Sequence, residues 1–502
     1  MDRAEQARSC ALLLPCFHRR RNRERLGTHP GLMRTHYDCR MTLPREKRTE
    51  LTAWSKAVRS SCYVYRASDV GDLTKVMDEA RRGGTTLIAH GAGHSYTDAA
   101  MNTNAIVLDV TAMRSILAWD PASGMMEVEA GTTLGDVIER AAPDGWGPPV
   151  VPSTEHVTVG GCAAMNVNGR NSWKVGSFGE WILSMDVLLP SGDLRTITPD
   201  GDSELFHAFV GSLGLLGIIL SVKMQLQRIH SGTVSVRRRR AASLDGIFDA
   251  FAEEEQRSEF LEAWLDGFAG GRQLGRGHLT SAIHDDSGEE VRAQPARRGL
   301  VDAVGGPIVE AAAFASRPIL EPGVKAANGL IYRLGRGMRR RALFSYSFWP
   351  SIAVKGYHKV LPEGVEAFQA FVPAKNAREV FTQLIRYSQR RECFPVWCIV
   401  KRHRGDPFLL SYQVDGFSLE LAYERVRSRA SVLEPVLRNM IEMVVDAGGK
   451  FYLAKDRLMT HAQYRRSMGS EAVDCFMDLK QQFDPESRLQ SDLFRRVFRG
   501  TE

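Results

Sequence analysis

The sequence predicts an α+β protein, on three observations. Strand-like segments follow one another directly through tight turns, as at 181–189 and 194–198 around Pro190-Ser191-Gly192-Asp193. The strict strand–helix alternation of a doubly wound parallel sheet is absent. Three glycine-rich turns, at 89–96, 152–161 and 211–218, interrupt the first half of the chain. At 502 residues the chain is too long for one core, and changes in texture divide it at 41–230, 231–432 and 433–502.

The elements follow in order. Residues 72–82 read as a helix, with Leu73, Val76 and Met77 on one face and Gly83-Gly84 ending it. Residues 85–89 form a short strand into the first turn. Strands at 105–110 and 125–130 flank turn chemistry at 120–124. A helix at 132–142, the hairpin just described, a helix at 203–210 and an alternating strand at 218–227 complete the first unit. Residues 280–345 are rich in Gly, Ala and Arg with weak periodicity, and are expected to be partly mobile. Regular patterns return at 365–372 and 377–390. A helix at 433–447, stopped by Gly448-Gly449, precedes a short apolar strand at 451–454.

Composition narrows the function. Apolar content of 43% and charged content of 25% are those of an ordinary globular protein. No run of 18 apolar residues is present, so no membrane-spanning helix is expected. Of the net charge of +7, residues 1–40 contribute +5. They read as a disordered tail, or as a start placed ahead of Met41, with no signal-peptide core. The remaining near-neutral chain argues against nucleic acid and suits a cytoplasmic protein, with peripheral contact at the inner membrane left open. Arginine runs at 237–240 and 339–341, the second beside Phe344, Phe348 and Trp349, suit either an anionic lipid surface or a solvated loop. Eight cysteines without metal-ligand spacing read as reduced structural thiols, Cys393 and Cys398 among them, and no metal is expected.

The glycine turns carry the chemistry. Ala89-His90-Gly91-Ala92-Gly93-His94-Ser95-Tyr96 and Pro152-Ser153-Thr154-Glu155-His156-Val157-Thr158-Val159-Gly160-Gly161 offer main-chain N–H groups with little side chain in the way, which is what a diphosphate needs. The first turn is not a dinucleotide fingerprint, because Tyr96 stands where a third glycine belongs. Gly160-Gly161 before Cys162-Ala163-Ala164 adds a close-packed helix start. Gly211, Gly214 and Gly217 add a third close approach. Three such turns, separated by hairpins, point to a flavin nucleotide held by backbone.

With this order of turns the sequence resembles the flavoprotein family named for vanillyl-alcohol oxidase and p-cresol methylhydroxylase, over nearly the whole chain from residue 51. The resemblance implies a two-subdomain FAD-binding fold (41–230), an α+β substrate or cap domain with an antiparallel sheet (231–432), and a closing segment (433–502) that returns to the FAD domain. The cofactor-binding set would be His90, Gly91, Ala92, Gly93, His94, Ser95 and Tyr96; Pro152, Ser153, Thr154, Thr158, Gly160, Gly161 and Cys162; Asn166, Gly169, Gly176 and Ser177; and Gly214, Gly217 and Ile218.

Within the family, several segments are similar to the flavin subunits of bacterial decaprenylphosphoryl-ribose 2-epimerases. They are Asn168-Gly169-Arg170-Asn171, Gly176-Ser177-Phe178-Gly179, Glu204-Leu205-Phe206, Tyr452-Leu453-Ala454-Lys455-Asp456, Phe483-Asp484-Pro485 and Ser491-Asp492-Leu493. That branch oxidises the 2-hydroxyl of a polyprenyl-phosphate pentose, and a partner reductase using NAD(P)H returns the hydride. The resemblance places Lys455 beside the flavin as the catalytic residue, with Glu420 as the alternative base. Asn168, Arg170, Gln369 and Lys401 become substrate contacts. Glu420, if buried, requires a partner, and Lys401 and Lys455 are the candidates.

Three departures matter. The branch has Arg at His94, whereas aldonolactone and alditol oxidases have a His bonded to the flavin there, so His94 is either a covalent anchor or a histidine packed on the cofactor. The branch has His and Lys at Asn168 and Arg170, and Cys near Glu420, so the hydroxyl pattern recognised here is different or relaxed. Three functions stand beside one another: a polyprenyl-phosphate sugar oxidase, a soluble sugar, alditol or aldonolactone oxidase with histidyl-linked FAD, and a flavin-binding scaffold without turnover.

Overall fold

The computed structural model describes residues 43–285, 320–335, 339–343, 361, 363–425 and 430–500. Residues 1–40, with Phe344, Phe348 and Trp349, lie outside the described residues.

The first sheet has the order β1-β2-β4-β3, formed by Arg48–Thr52 (β1), Arg59–Arg66 (β2), Leu87–His90 (β3) and Ile106–Asp109 (β4). β1 runs antiparallel to β2, and β4 lies parallel to both β2 and β3. Helix α1 (Val70–Arg82) carries the chain from β2 to β3. The Asp69 carboxylate caps it by accepting from the Asp72 N–H, which is why it begins ahead of the expected residue 72. Its buried stripe of Leu73, Val76, Met77 and Ala80 packs on Ile106 and Leu108.

The second sheet is antiparallel throughout, in the order β5-β6-β10-β8-β9. It comprises Ile116–Asp120 (β5), Met125–Glu129 (β6), Ile182–Leu188 (β8), Leu194–Ile197 (β9) and Ile218–Gln225 (β10). Trp146–Gly147 (β7) and Gln227–Arg228 (β11) form a separate short pair. The helices are α2 (Leu134–Ala141), α3 (Val159–Met165), α4 (Ser172–Val175) and α5 (Ser203–Phe209). The expected hairpin is β8–β9. β5 was not expected: it is an edge strand with Ile116 and Leu117 exposed, so it lacks the alternation that marks a half-buried strand.

An eight-stranded antiparallel sheet forms the second half, ordered β15-β12-β14-β13-β17-β18-β16-β19. Its strands are Thr233–Ala241 (β12), Phe260–Leu265 (β13), Gly277–His284 (β14), Arg339–Leu343 (β15), Val365–Pro373 (β16), Trp397–His403 (β17), Gly416–Glu424 (β18) and Lys450–Phe451 (β19). Helices α6 (Leu244–Glu254), α8 (Ala374–Arg390) and α9 (Ala430–Asp446) belong to this half. Phe417 meets Phe248 and Phe251 of α6, which leaves Ser418 and Glu420, one residue out of phase, on the opposite face.

Both arginine runs are strand residues, and Arg237 pairs in register with Arg339. Arg237 and Arg239 are neutralised by Glu254 and Glu253 of α6. Within the stretch expected to be weakly ordered lies helix α7 (Leu320–Leu334). It docks through polar and π contacts: Asn328 Nδ2 donates to Asp266 Oδ1 at 3.2 Å, and the guanidinium groups of Arg240 and Arg276 lie over the Tyr332 ring at 5.3 and 4.7 Å. Its apolar residues do recur at helical spacing, but Leu330, Ile331 and Leu334 lie exposed rather than against the sheet.

The chain closes with α10 (His461–Met468), α11 (Ser470–Phe483) and α12 (Asp492–Phe494). Here it meets the first sheet again. The Leu87 N–H donates to Arg488 O at 2.8 Å, the Gln490 N–H donates to Leu87 O at 3.0 Å, and the Asp492 carboxylate accepts from the Thr103 N–H at 2.9 Å.

Candidate active site

The first glycine turn leaves the end of β3. His90 is held by a hydrogen bond between Nδ1 and Ala100 O (2.9 Å). Gly93 has φ +68°, a left-handed conformation that favours glycine. A Cβ on Gly91 would stand 2.3 Å from Thr158 Oγ1, so only glycine allows the first turn to meet the second motif. The main-chain amides of Ala92, Gly93, His94 and Ser95 have no hydrogen-bond partner among the described residues. Such a row of donors fits a diphosphate.

The second motif lies against the turn between β6 and α2. Val159 and Gly160 donate to Thr132 O (2.8 Å) and Ala130 O (2.9 Å), while Val157 O accepts from Leu134 (3.0 Å). The Gly160 amide is therefore satisfied within the protein, contrary to its expected role as a bare donor. Its lack of a side chain serves packing, since a Cβ would reach Ala130 Cβ at 2.6 Å. Pro152, Thr158 and Cys162 are buried, and burial pushes the Cys162 thiol upward; Ser153 is exposed and Thr154 half-buried. Gly161 approaches Thr158 Oγ1.

The third turn clasps the end of α3, with Gly211 and Leu213 donating to Ala163 O (3.0 Å) and Ala164 O (2.9 Å). Gly214 (φ +72°) lies near Ile88, Gly217 is packed against Phe209, and Ile218 begins β10.

Asn166 ends α3 in the left-handed region, at φ +45°. Its Oδ1 accepts from the Gly179 N–H (3.0 Å) and its Nδ2 donates to Asp406 Oδ2 (2.8 Å). Asn168 Nδ2 donates to the Tyr412 hydroxyl (3.0 Å), which donates to Asn166 O (2.7 Å). Gly169 packs on Val151, Gly176 on Glu180 and Arg404, and the Ser177 N–H donates to Glu180 Oε1 (2.9 Å). These residues brace the loop.

The segment after β19 is stitched to the first turn. Tyr96 N–H donates to Ala454 O (2.7 Å) and Thr97 Oγ1 to Leu453 O (2.9 Å). Lys455 Nζ consequently lies 5.0 Å from the centre of the Tyr96 ring and donates to Glu420 Oε1. In register, Glu420 stands opposite Gln369 on β16 and Ile399 on β17, and Lys401 stands opposite Ser418. Residues paired across the strands share a face, so Gln369, Lys401 and Glu420 line one surface. The Gln369 Oε1 atom is buried without a partner among the described residues.

A row of alternating charge results. Arg170 donates to Glu262 at 3.0 and 2.6 Å, Glu262 lies 3.8 Å from Lys401, and Glu420 is paired with Lys455. Burial pushes the Glu420 carboxyl up, but Lys455 and Lys401 outweigh it and hold it below the ordinary carboxylate value. Burial dominates at Lys401 and lowers its ammonium pKa against the opposing pull of Glu262 and Glu420.

His94 completes the site. Its ring lies 4.8 Å from Trp54 and 6.2 Å from His156. Burial, followed by His156, pushes its pKa down to about 4, so the imidazole is neutral at pH 7. His94 Nδ1 is buried without a partner among the described residues. The free amides, the glycine contact at Gly91 and this unpartnered nitrogen all fit a flavin dinucleotide.

Sequence reasoning missed Glu262, Tyr412 and the His403–Ser418 pair, in which His403 Nε2 lies 2.8 Å from Ser418 Oγ. The alternation of Phe260–Leu265 makes Glu262 look like an outward-facing residue. Only its partner Arg170, 92 positions earlier, reveals its role. Among the described residues there is no group able to hold a metal ion and no helix long and apolar enough to cross a membrane.

Residues 62–198 match the FAD binding domain family. The chain is 26% identical over 460 residues to decaprenylphosphoryl-beta-D-ribose oxidase of Mycolicibacterium smegmatis, spanning 89% of this chain and 97% of that protein. It is 29% identical to an uncharacterized protein in the mprA 5′ region of Streptomyces coelicolor, over 73% of this chain and 99% of the other. D-arabinono-1,4-lactone oxidase of Yarrowia lipolytica is 30% identical over 34% of this chain and 32% of its own length.

Proposed function

From the premise that this chain is an FAD-linked oxidoreductase acting on CH–OH groups, a flavoprotein of the vanillyl-alcohol oxidase and p-cresol methylhydroxylase type, we propose that it oxidises a secondary hydroxyl of a polyprenyl-phosphate pentose to the ketone. This would be the first half of a 2-epimerisation, with a separate NAD(P)H-dependent reductase supplying the return step. The reading is carried by the buried Lys455–Glu420 pair, held beside the first glycine turn and facing Gln369 and Lys401. The similarity along 89% of the chain to a decaprenylphosphoryl-ribose oxidase supports the choice of substrate.

Bound FAD supplies the hydride acceptor. The amides of Ala92–Ser95 would hold its diphosphate, while the third turn and the loop of Asn166, Gly169, Gly176 and Ser177 keep the surrounding backbone in place. The ionised Glu420 carboxylate would take the proton from the substrate hydroxyl, the carbinol hydride being what a bound flavin would accept. Lys455, as a cation, stabilises negative charge on the substrate oxygen. Lys401, Gln369, Asn168 and Arg170 orient the remaining hydroxyls. Peripheral contact with the inner membrane would give access to a lipid-linked sugar.

A second reading is favoured by His94, whose unpartnered, neutral Nδ1 suits a bond to the flavin. On that reading the protein is a soluble sugar, alditol or aldonolactone oxidase. Anaerobic bleaching of the flavin distinguishes the two. Prenyl-phosphate pentoses should reduce it, and free polyols should not; reduction by free polyols alone, with flavin retained in acid-precipitated protein, selects the second reading.

A further inference from the structure

Glu262 belongs to no motif, yet it joins the two halves of the site. Ala263 pairs with Val400 and Trp264 with Ile399, which brings Glu262 level with Lys401. Its carboxylate accepts both bonds from Arg170 and lies 3.8 Å from Lys401 Nζ. Beside it, the Leu261 N–H donates to Arg170 O at 3.1 Å. The Glu262 side chain is only 15% exposed and Lys401 only 7%. A carboxylate so placed costs more in lost hydration than one surface ion pair returns, and here it serves two cations from different parts of the fold.

We infer that Glu262 is a positioning residue of the carbinol site: it fixes the Asn168–Asn171 loop against the sheet through Arg170 and holds the Lys401 ammonium toward the substrate. This rests on the reading of Lys401 and Arg170 as substrate contacts. The charged groups around Lys401 are Glu262 on β13, Glu420 on β18, Lys455 after β19 and Arg170 before α4, with the buried His403 on its own strand. The two carboxylates favour the ammonium, while Lys455 and Arg170 oppose it. An opposite charge at this range raises an ammonium pKa by about 1–3 units.

The test is the titration of Lys401 in FAD-loaded protein carrying 13Cε-lysine, its resonance identified by Lys401→Arg. In Glu262→Gln it should titrate at least about one pH unit lower than in the parent, whereas Glu262→Asp should keep most of the parent value. KM for the sugar should rise about tenfold in Glu262→Gln with a smaller change in kcat, and the alkaline limb of kcat/KM should move to lower pH. Should Glu262→Gln not accumulate, Arg170→Met supplies the converse, moving the Lys401 titration upward. An unchanged Lys401 titration in either variant, or equal impairment by Asp and Gln, overturns the inference. A parent protein whose flavin no sugar reduces, but whose Lys401 still shifts in Glu262→Gln, would refute the substrate reading and leave the Glu262–Lys401 coupling standing.

Discussion

Glu420→Gln removes the proposed base without changing its shape. The parent carboxylate is buried, paired with Lys455, and held below the ordinary pKa of 4.5 because the two lysines outweigh burial. Losing a positioned general base slows proton transfer by about 10²–10⁴-fold, equivalent to about 3–5 kcal/mol in the barrier. The change also leaves the Lys455 ammonium facing a neutral amide, and breaking a buried pair costs about 3–5 kcal/mol of stability. The assay is anaerobic stopped-flow reduction of bound FAD, normalised to flavin content so that unfolding is not counted as lost chemistry. Because the folded pKa is lowered, Glu420 stabilises the protein above pH 4.5 and that contribution is lost as pH falls through the lower folded value. The same protonation removes the base, so the acid limb of the parent's reduction rate should fall below pH 4.5 and disappear in Glu420→Gln. A flavin-loaded Glu420→Gln that reduces within threefold of the parent, about 0.65 kcal/mol, would refute the role of this residue.

Three further outcomes follow from the same geometry. Lys455→Met should lower the flavin reduction rate by about 10²-fold or more, as expected for loss of a charge-stabilising donor, with FAD content retained. Gly91→Ala sets a Cβ 2.3 Å from Thr158 Oγ1; overpacking of about 1–3 kcal/mol should weaken FAD binding by roughly 5- to 160-fold in titrations of deflavinated protein. His94 titrates near 4 when folded and at 6.5 otherwise, so its burial should destabilise the protein increasingly as pH falls from 6.5 to 4. Denaturant midpoints for His94→Asn should be flatter than the parent's across that window.

The parts of the site visible in sequence are those where backbone must approach closely. Gly91 and Gly93 announced themselves because a side chain or a negative φ is excluded there. Lys455 was placed by the resemblance carried by Tyr452-Leu453-Ala454-Lys455-Asp456, and it was one of two partners expected for Glu420. Gly160 stands at a close approach to Ala130 within the protein, and its packing and satisfied amide depend on that neighbour 30 residues earlier, which local sequence does not show. Glu262 was invisible because local alternation cannot distinguish a solvated carboxylate from one buried by an arginine on a distant loop. β5 was obscured for a different reason: it pairs locally with β6, but as an exposed edge it lacks a buried alternating face. α7 carries helical spacing, but its apolar residues Leu330, Ile331 and Leu334 are exposed while Asn328 and Tyr332 make the docking contacts.

A crystal structure of the FAD complex tests the proposed site most directly. Diphosphate oxygens should accept hydrogen bonds from the amides of Ala92–Ser95, with the flavin ring against Lys455 and Glu420. A flavin seated in the cleft lined by Met165, Tyr412, Tyr464 and Met468, with those amides facing water, would contradict it.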